Sequence, residues 1–239
     1  MADRPPLPRE EVQRILARLS PLSAEGKIVL IGAARSARLA ADLIGGEVRI
    51  PGIDHNTPNT GQVLFIDSEG VEREIDFLSS PFGLEPADVR TSAVPMTVPD
   101  ASGGEAPILV MHPERCMESR VHNVVRLGTT GEIAMTQLRR SIACSREWSR
   151  YLLTDESTSK ARRVRAVLAL NERVFRKSLR SQAFRRLALE HEIKPFEAVL
   201  VDGRLPDKFR ERRYPQMVAA IEAARDRAGK HRDRYSRKP

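Results

Sequence analysis

An α+β fold, a mixed sheet followed by a basic helical region, is the architecture this sequence predicts, and three observations predict it. In the run GQVLFIDSEGVEREIDFLS, Gly61 to Ser79, Gln62 to Asp67 is dense in β-branched and aromatic residues, Ser68-Glu69-Gly70 reads as a turn, and Val71, Arg73, Ile75 and Phe77 then alternate with Glu72, Glu74, Asp76 and Leu78, as two antiparallel strands joined by a turn do. After His112-Pro113 the apolar spacing changes from two to about 3.6 residues. The charge also changes sign: residues 1 to 100 hold 10 Lys and Arg against 15 Asp and Glu, and residues 101 to 239 hold 30 against 17.

Each element follows from local pattern. Pro5, Pro6 and Pro8 keep the start extended, and Val12, Ile15, Leu16 and Leu19 then mark an amphipathic helix from Arg9 that Ser20-Pro21 should end. Lys27 to Ile31 reads as a short strand closed by Gly32, Ala33 to Ile44 as a helix stopped by Gly45-Gly46, and Glu47 to Ile50 as a strand. Pro51 to Gly61 is a loop. In the central hairpin, Glu72, Glu74 and Asp76 share one face of their strand, opposite Ile75 and Phe77. A short helix over Glu85 to Arg90 precedes the strand Val94, Met96, Val98, which Pro95 assigns to an edge. The apolar run PILVM, Pro107 to Met111, has the character of a sheet centre, which makes five or more strands.

The remainder reads as helices. The first covers Pro113 to Leu127, with Gly128 beyond its end, and the second Thr130 to Leu153. A third runs from Lys160 to Glu190, with packing in a bundle preferred over a coiled coil, and a fourth lies within Phe209 to Arg227. The resulting division is 1–26 as a helical extension, 27–128 as the α/β domain, 129–228 as the basic helical region and 229–239 as a flexible basic tail.

With 239 residues, 41% hydrophobic and 30% charged, the chain has material for one large or two modest domains. It has no apolar run of membrane-span length and no secretory leader pattern, so a cytoplasmic, non-membrane protein is expected. Cys116 and Cys144 are its only cysteines and lack metal or disulfide spacing; Cys116 is expected to be a buried, inert thiol. Motifs of phosphate loops, dinucleotide folds, serine hydrolases and zinc proteases are absent.

Residues 158 to 190 contain ten Lys or Arg and two acids, Glu172 and Glu190, so RNA or DNA phosphates are expected to meet residues 160–186. No zinc-finger spacing or interleaved aromatics support base readout. His122 and Arg126, at i and i+4, share a helix face and form a candidate contact for a triphosphate.

The segments DHNTPNTG (54–61), VLFIDSEG, EREIDFLSSPFGL and LVMHPERCMESRVHNVVRLG resemble a bacterial group of nucleotidyltransferase-like proteins in the DNA polymerase β nucleotidyltransferase superfamily. That group lies near the abortive-infection and minimal-nucleotidyltransferase toxins of toxin-antitoxin systems, and the resemblance covers Lys27 to Leu153. It implies a nucleotidyltransferase-like domain that moves a nucleoside monophosphate from a nucleoside triphosphate to an RNA, nucleotide or protein hydroxyl, with Mg²⁺ or Mn²⁺ as cofactor. Asp76 in REIDFL matches the family's third carboxylate, while the paired DxD aspartates are missing between Gly32 and Ala33, leaving Asp54 as the nearby substitute. The resemblance therefore implies Asp76 and Asp54 as catalytic and metal-holding residues, and it leaves three readings open. These are a remnant without catalysis, an enzyme that assembles its site from Asp54, Asp76 and Asp67 or Glu74, and an unrelated α/β protein. The alternative function is noncatalytic: nucleic-acid binding, or binding of a protein partner as an antitoxin-like protein or scaffold.

Overall fold

A computed structural model describes the backbone of residues 8–24, 34–50, 59–78, 81–99 and 104–236, and side chains for 8, 10–21, 37–50, 60–78, 81–99 and 104–228. The chain divides into two compact units, Met1–His112 and Pro113–Pro239. The division falls where the period changes, so the helix beginning at Pro113 belongs to the second unit, whereas the sequence reading drew the boundary after residue 128.

The first unit contains α1 (Arg9–Ala24), α2 (Ala34–Ile44), β1 (Glu47–Arg49), β2 (Asn59–Ile66), β3 (Glu72–Leu78), α3 (Pro86–Thr91), β4 (Val94–Pro99) and β5 (Glu105–Val110). Every strand pairing among the described residues is antiparallel, in a three-stranded sheet ordered β1-β2-β3 and a two-stranded sheet β4-β5. The expectation of one mixed sheet is thus corrected. β2-β3 and β4-β5 each close onto their sequence neighbour through a short connection, and a short connection permits only antiparallel pairing. The expected strand Lys27 to Ile31 lies outside the described residues. The PILVM run does not form a sheet centre: both strands of β4-β5 are edges, where Pro95 and Pro107 cost no ladder bond.

α2 packs Ala37, Ala40, Ala41 and Ile44 against Val63, Phe65 and Phe77 of the larger sheet, and α1 adds Ile15 and Leu19. The opposite side of α1 gives Leu16 and Ala17 to Val98, Ala106 and Ile108 of the smaller sheet. α1 continues past Ser20 with Pro21 inside it, one turn longer than the sequence suggested. Gly45 ends α2 with φ +74, a conformation that costs glycine least, and its N–H and that of Gly46 both donate to the Ala41 carbonyl. At Gly46 the strand β2 comes so close that an added Cβ would stand 2.6 Å from the Leu64 carbonyl oxygen.

The second unit is helical: α4 (Pro113–Leu127), α5 (Glu132–Thr154), α6 (Lys160–Arg180), α7 (Gln182–Glu190), a 3-10 turn (Pro195–Ala198), a π-type turn (Lys208–Arg213) and α8 (Tyr214–Ser236). The expected helix from Lys160 to Glu190 is broken at Ser181, which ends α6 and begins α7 in extended backbone. α8 continues to Ser236, further than the sequence suggested, and the side chains of the expected flexible tail lie outside the described residues. Met117, Val121, Leu138, Val167, Leu187 and Met217 are among the buried side chains of a single core. α6 packs against α5, α7 and α8, a bundle arrangement and not a coiled coil. No helix among the described residues is long and apolar enough to cross a membrane.

Candidate functional site

The hairpin places Asp76 where the alternation requires. Arg49, Gln62 and Asp76 are paired across β1, β2 and β3, with Leu64 facing Glu74 in the next row of the same side. Glu72, Glu74 and Asp76 are exposed, while Arg73, Ile75 and Phe77 turn inward. The Gln62 side-chain amide donates to Asp76 Oδ1 at 2.8 Å, so this carboxylate is oriented by its strand neighbour.

Asp67 is engaged elsewhere. Its Oδ1 accepts the backbone N–H groups of Glu69 and Val71, both at 2.9 Å, and its Oδ2 accepts Arg73 Nε at 2.7 Å. Burial works to raise its pKa, but Arg73 and the two N–H groups outweigh burial and hold the carboxyl below its ordinary value. Asp67 is the turn's hydrogen-bond acceptor and is not available as a cation ligand beside Asp76. Asp54 lies outside the described residues. A hard divalent cation needs about six oxygen ligands, and a two-cation phosphoryl-transfer centre needs carboxylates converging from neighbouring strands. Among the described residues no group of three or more His, Cys, Asp or Glu converges, and Glu72, Glu74 and Asp76 follow one another along a single strand. These residues do not fit a Mg²⁺ or Mn²⁺ centre.

His122 and Arg126 lie on α4 in the second unit, whereas Asp76 lies in the first. His122 is buried, its Nδ1 has no hydrogen-bond partner, and Arg126 is exposed. Burial lowers the pKa of the imidazole, Arg126 and Lys177 push the same way, and Glu118 opposes them. One turn apart, Glu114 and Glu118 precede His122 on the same face and meet α6. Glu114, buried, accepts Arg173 Nε at 2.8 Å and Lys177 Nζ at 3.0 Å, and Lys177 also donates to Glu118 at 2.7 Å. Burial tends to raise the Glu114 pKa, but Lys177 and Arg173 together bring it below the ordinary value. Sequence reasoning missed this pairing; its signal was Glu114 and Glu118 spaced like Arg173 and Lys177, i and i+4 on two helices.

The basic segment 160–186 is partly engaged with the protein's own oxygens. Arg163 donates to the Asp155 carbonyl, Arg176 and Arg213 share Glu172, and Arg186 pairs with Glu190. Arg162, Arg165, Arg173, Arg176 and Arg180, all exposed, fall within about 80° of arc on the outer side of α6, opposite Val167, Asn171, Val174 and Ser178. The stripe is about 27 Å long at ~1.5 Å per residue. Among the described residues, Arg162, Arg165 and Arg180 have no carboxylate partner, whereas Arg173 holds Glu114 and Arg176 holds Glu172. Both cysteines are free thiols, Cys144 exposed and Cys116 half-buried rather than fully enclosed as expected.

Comparison of the chain with protein-family models, curated proteins and solved structures gives no match in any of the three.

Proposed function

We propose that this chain is a nucleic-acid-binding protein whose phosphate contact is the outer arginine stripe of α6, joined to a nucleotidyltransferase-like α/β unit with an incomplete catalytic centre. The observation that carries the reading is the stripe itself: five exposed guanidinium groups on one face, three without a carboxylate partner among the described residues. Guanidinium pairs readily with phosphate oxygens, and a line of such groups follows a polyanion without reading its bases. The net positive charge of residues 101 to 239 adds long-range attraction.

Filter binding of RNA and duplex DNA across a salt series tests it. Three to five phosphate contacts give a log–log slope of about −2.7 to −4.5 on duplex, a loss of roughly 40- to 500-fold in affinity between 50 and 200 mM salt. Replacing Arg162, Arg165 and Arg180 with Gln together should flatten the slope by about 2.7. Binding that is indifferent to salt, or to this triple replacement, sinks the reading.

A second reading, nucleotidyl transfer, draws support from the sequence resemblance and from the exposed position of Asp76 beside Glu74 on the open sheet face. Incubation with Mg²⁺ or Mn²⁺ and each labelled nucleoside triphosphate checks it. Label reaching RNA or protein with the parent chain, and lost with D76A, is its required result.

A further inference from the structure

The second unit holds a groove unrelated to the arginine stripe. α7, the 3-10 turn and α8 enclose about 260 Å³, a little below the ~300–1,000 Å³ of typical small-molecule sites. Its walls are mainly apolar. Phe184, Leu189, Val218 and Ile221 line it, and Phe196 and Tyr214 stack with ring centroids 6.0 Å apart and planes 8° from parallel.

Two observations define what the groove would accept. Ser178 of α6 lines it, is 8% exposed, and its Oγ is buried without any hydrogen-bond partner. A buried hydroxyl left unpaired costs free energy that a bound acceptor would restore. Arg185, Lys194 and Arg225 also line the groove, against the carboxylates of Glu197 and Glu222, and none of these three cations has an ion-pair partner among the described residues. An apolar trough with an unpaired inner hydroxyl and an excess of cations is complementary to one class of molecule.

We infer that this groove binds a small amphipathic carboxylate, an apolar body the size of a medium-chain acyl group with a single anionic head. The apolar body covers Phe184, Phe196, Val218 and Ile221, the head neutralises the surplus positive charge from Arg185, Lys194 and Arg225, and the Ser178 hydroxyl, enclosed while the groove is empty, rotates about χ1 to donate to a ligand oxygen. A cation of the same length lacks both the charge and the acceptor, so the site discriminates by head group and not by hydrophobicity alone.

Isothermal titration of the full chain with decanoate, decylammonium and acetate tests the inference. Decanoate should bind with one equivalent, at least about tenfold more tightly than decylammonium, while acetate alone gives no heat. K194E combined with R225E should weaken decanoate about tenfold, and S178A should weaken it less, since each removes a charged or a neutral hydrogen-bonding partner. V218W, which fills the trough, should abolish binding. K194E/R225E alters exposed positions, so it reports even where V218W does not fold. Decylammonium binding as well as decanoate, several equivalents of decanoate unaffected by any variant, or no binding overturns the inference. So does sedimentation as a dimer that V218W dissociates and decanoate leaves intact, which assigns the groove to a second copy.

Discussion

Asn171 offers the most direct test of how the helical unit is held together. It lies mid-way along α6, 1% exposed, and its side chain spans both polar groups of one peptide residue: Nδ2 donates to the Leu200 carbonyl at 2.8 Å, and Oδ1 accepts the Leu200 N–H at 2.9 Å. Leu200 is 2% exposed, so neither backbone group has water as an alternative partner. Replacement by Leu keeps the branched skeleton, with bulkier methyl ends, and removes both bonds. Each orphaned buried group costs about 1–3 kcal/mol, so the loss should be about 2–6 kcal/mol. Replacement by Ala adds a cavity and should cost more. For a unit of this size, about 0.25 kcal/mol per degree of unfolding entropy turns 3 kcal/mol into a fall of roughly 10 °C in Tm. The single tryptophan, Trp148, lies on α5 in the same unit, so its emission during urea titration reports this unit. If N171L unfolds within about 0.5 kcal/mol of the parent, the pin from α6 to the segment after the 3-10 turn contributes nothing and the reasoning fails.

Gly46→Ala should destabilise the first unit by about 1–3 kcal/mol through the Cβ contact with β2, seen as faster amide exchange at Val63 and Leu64; unchanged exchange would show that β2 yields freely. Burial, with Arg126 and Lys177 pushing the same way, holds the folded pKa of His122 below its ordinary 6.5. The unfolded chain therefore takes up the extra proton as pH falls through about 6.5, and stability of the second unit should drop there, with H122Q reducing the drop in Trp148-monitored melts. Lys177→Ala takes one of two cations, Lys177 and Arg173, from the buried Glu114 and should cost about 1–3 kcal/mol, and adding Glu114→Gln should restore part of it in a double-mutant cycle. A strictly additive cycle would show that the buried carboxylate does not depend on Lys177.

What could be foreseen from the sequence depended on how local its cause was. The β2-β3 hairpin was legible because its alternation and its turn lie within twenty residues, and the exposure of Glu72, Glu74 and Asp76 followed from the period of two. The helical character after Pro113 was legible for the same reason. Which strands share a sheet was not, because the pairing of β4 with β5 apart from β1-β2-β3 depends on α1 packing its two sides against different partners. The break at Ser181 carries no Pro or Gly to announce it, and Asn171 looks like any other polar residue of a helix until Leu200 is brought to it. The arginine count was visible, but not that half of the ten bases in 158–190 are engaged with protein oxygens and that five arginines line one outer face.

The Asp67 turn has a further consequence for the open sheet face. By tying Glu69, Val71 and Arg73 to one carboxylate, and with Ser68 anchored to Glu11 of α1 at 3.1 Å, it fastens the closed end of the hairpin. A slip of a single residue between β2 and β3 would turn Glu72, Glu74 and Asp76 toward the alanines of α2 and push Phe77 into water. The four-residue clasp is thus what keeps a row of acids facing outward, and loosening it by Asp67→Ala would scramble that row without touching any of its members.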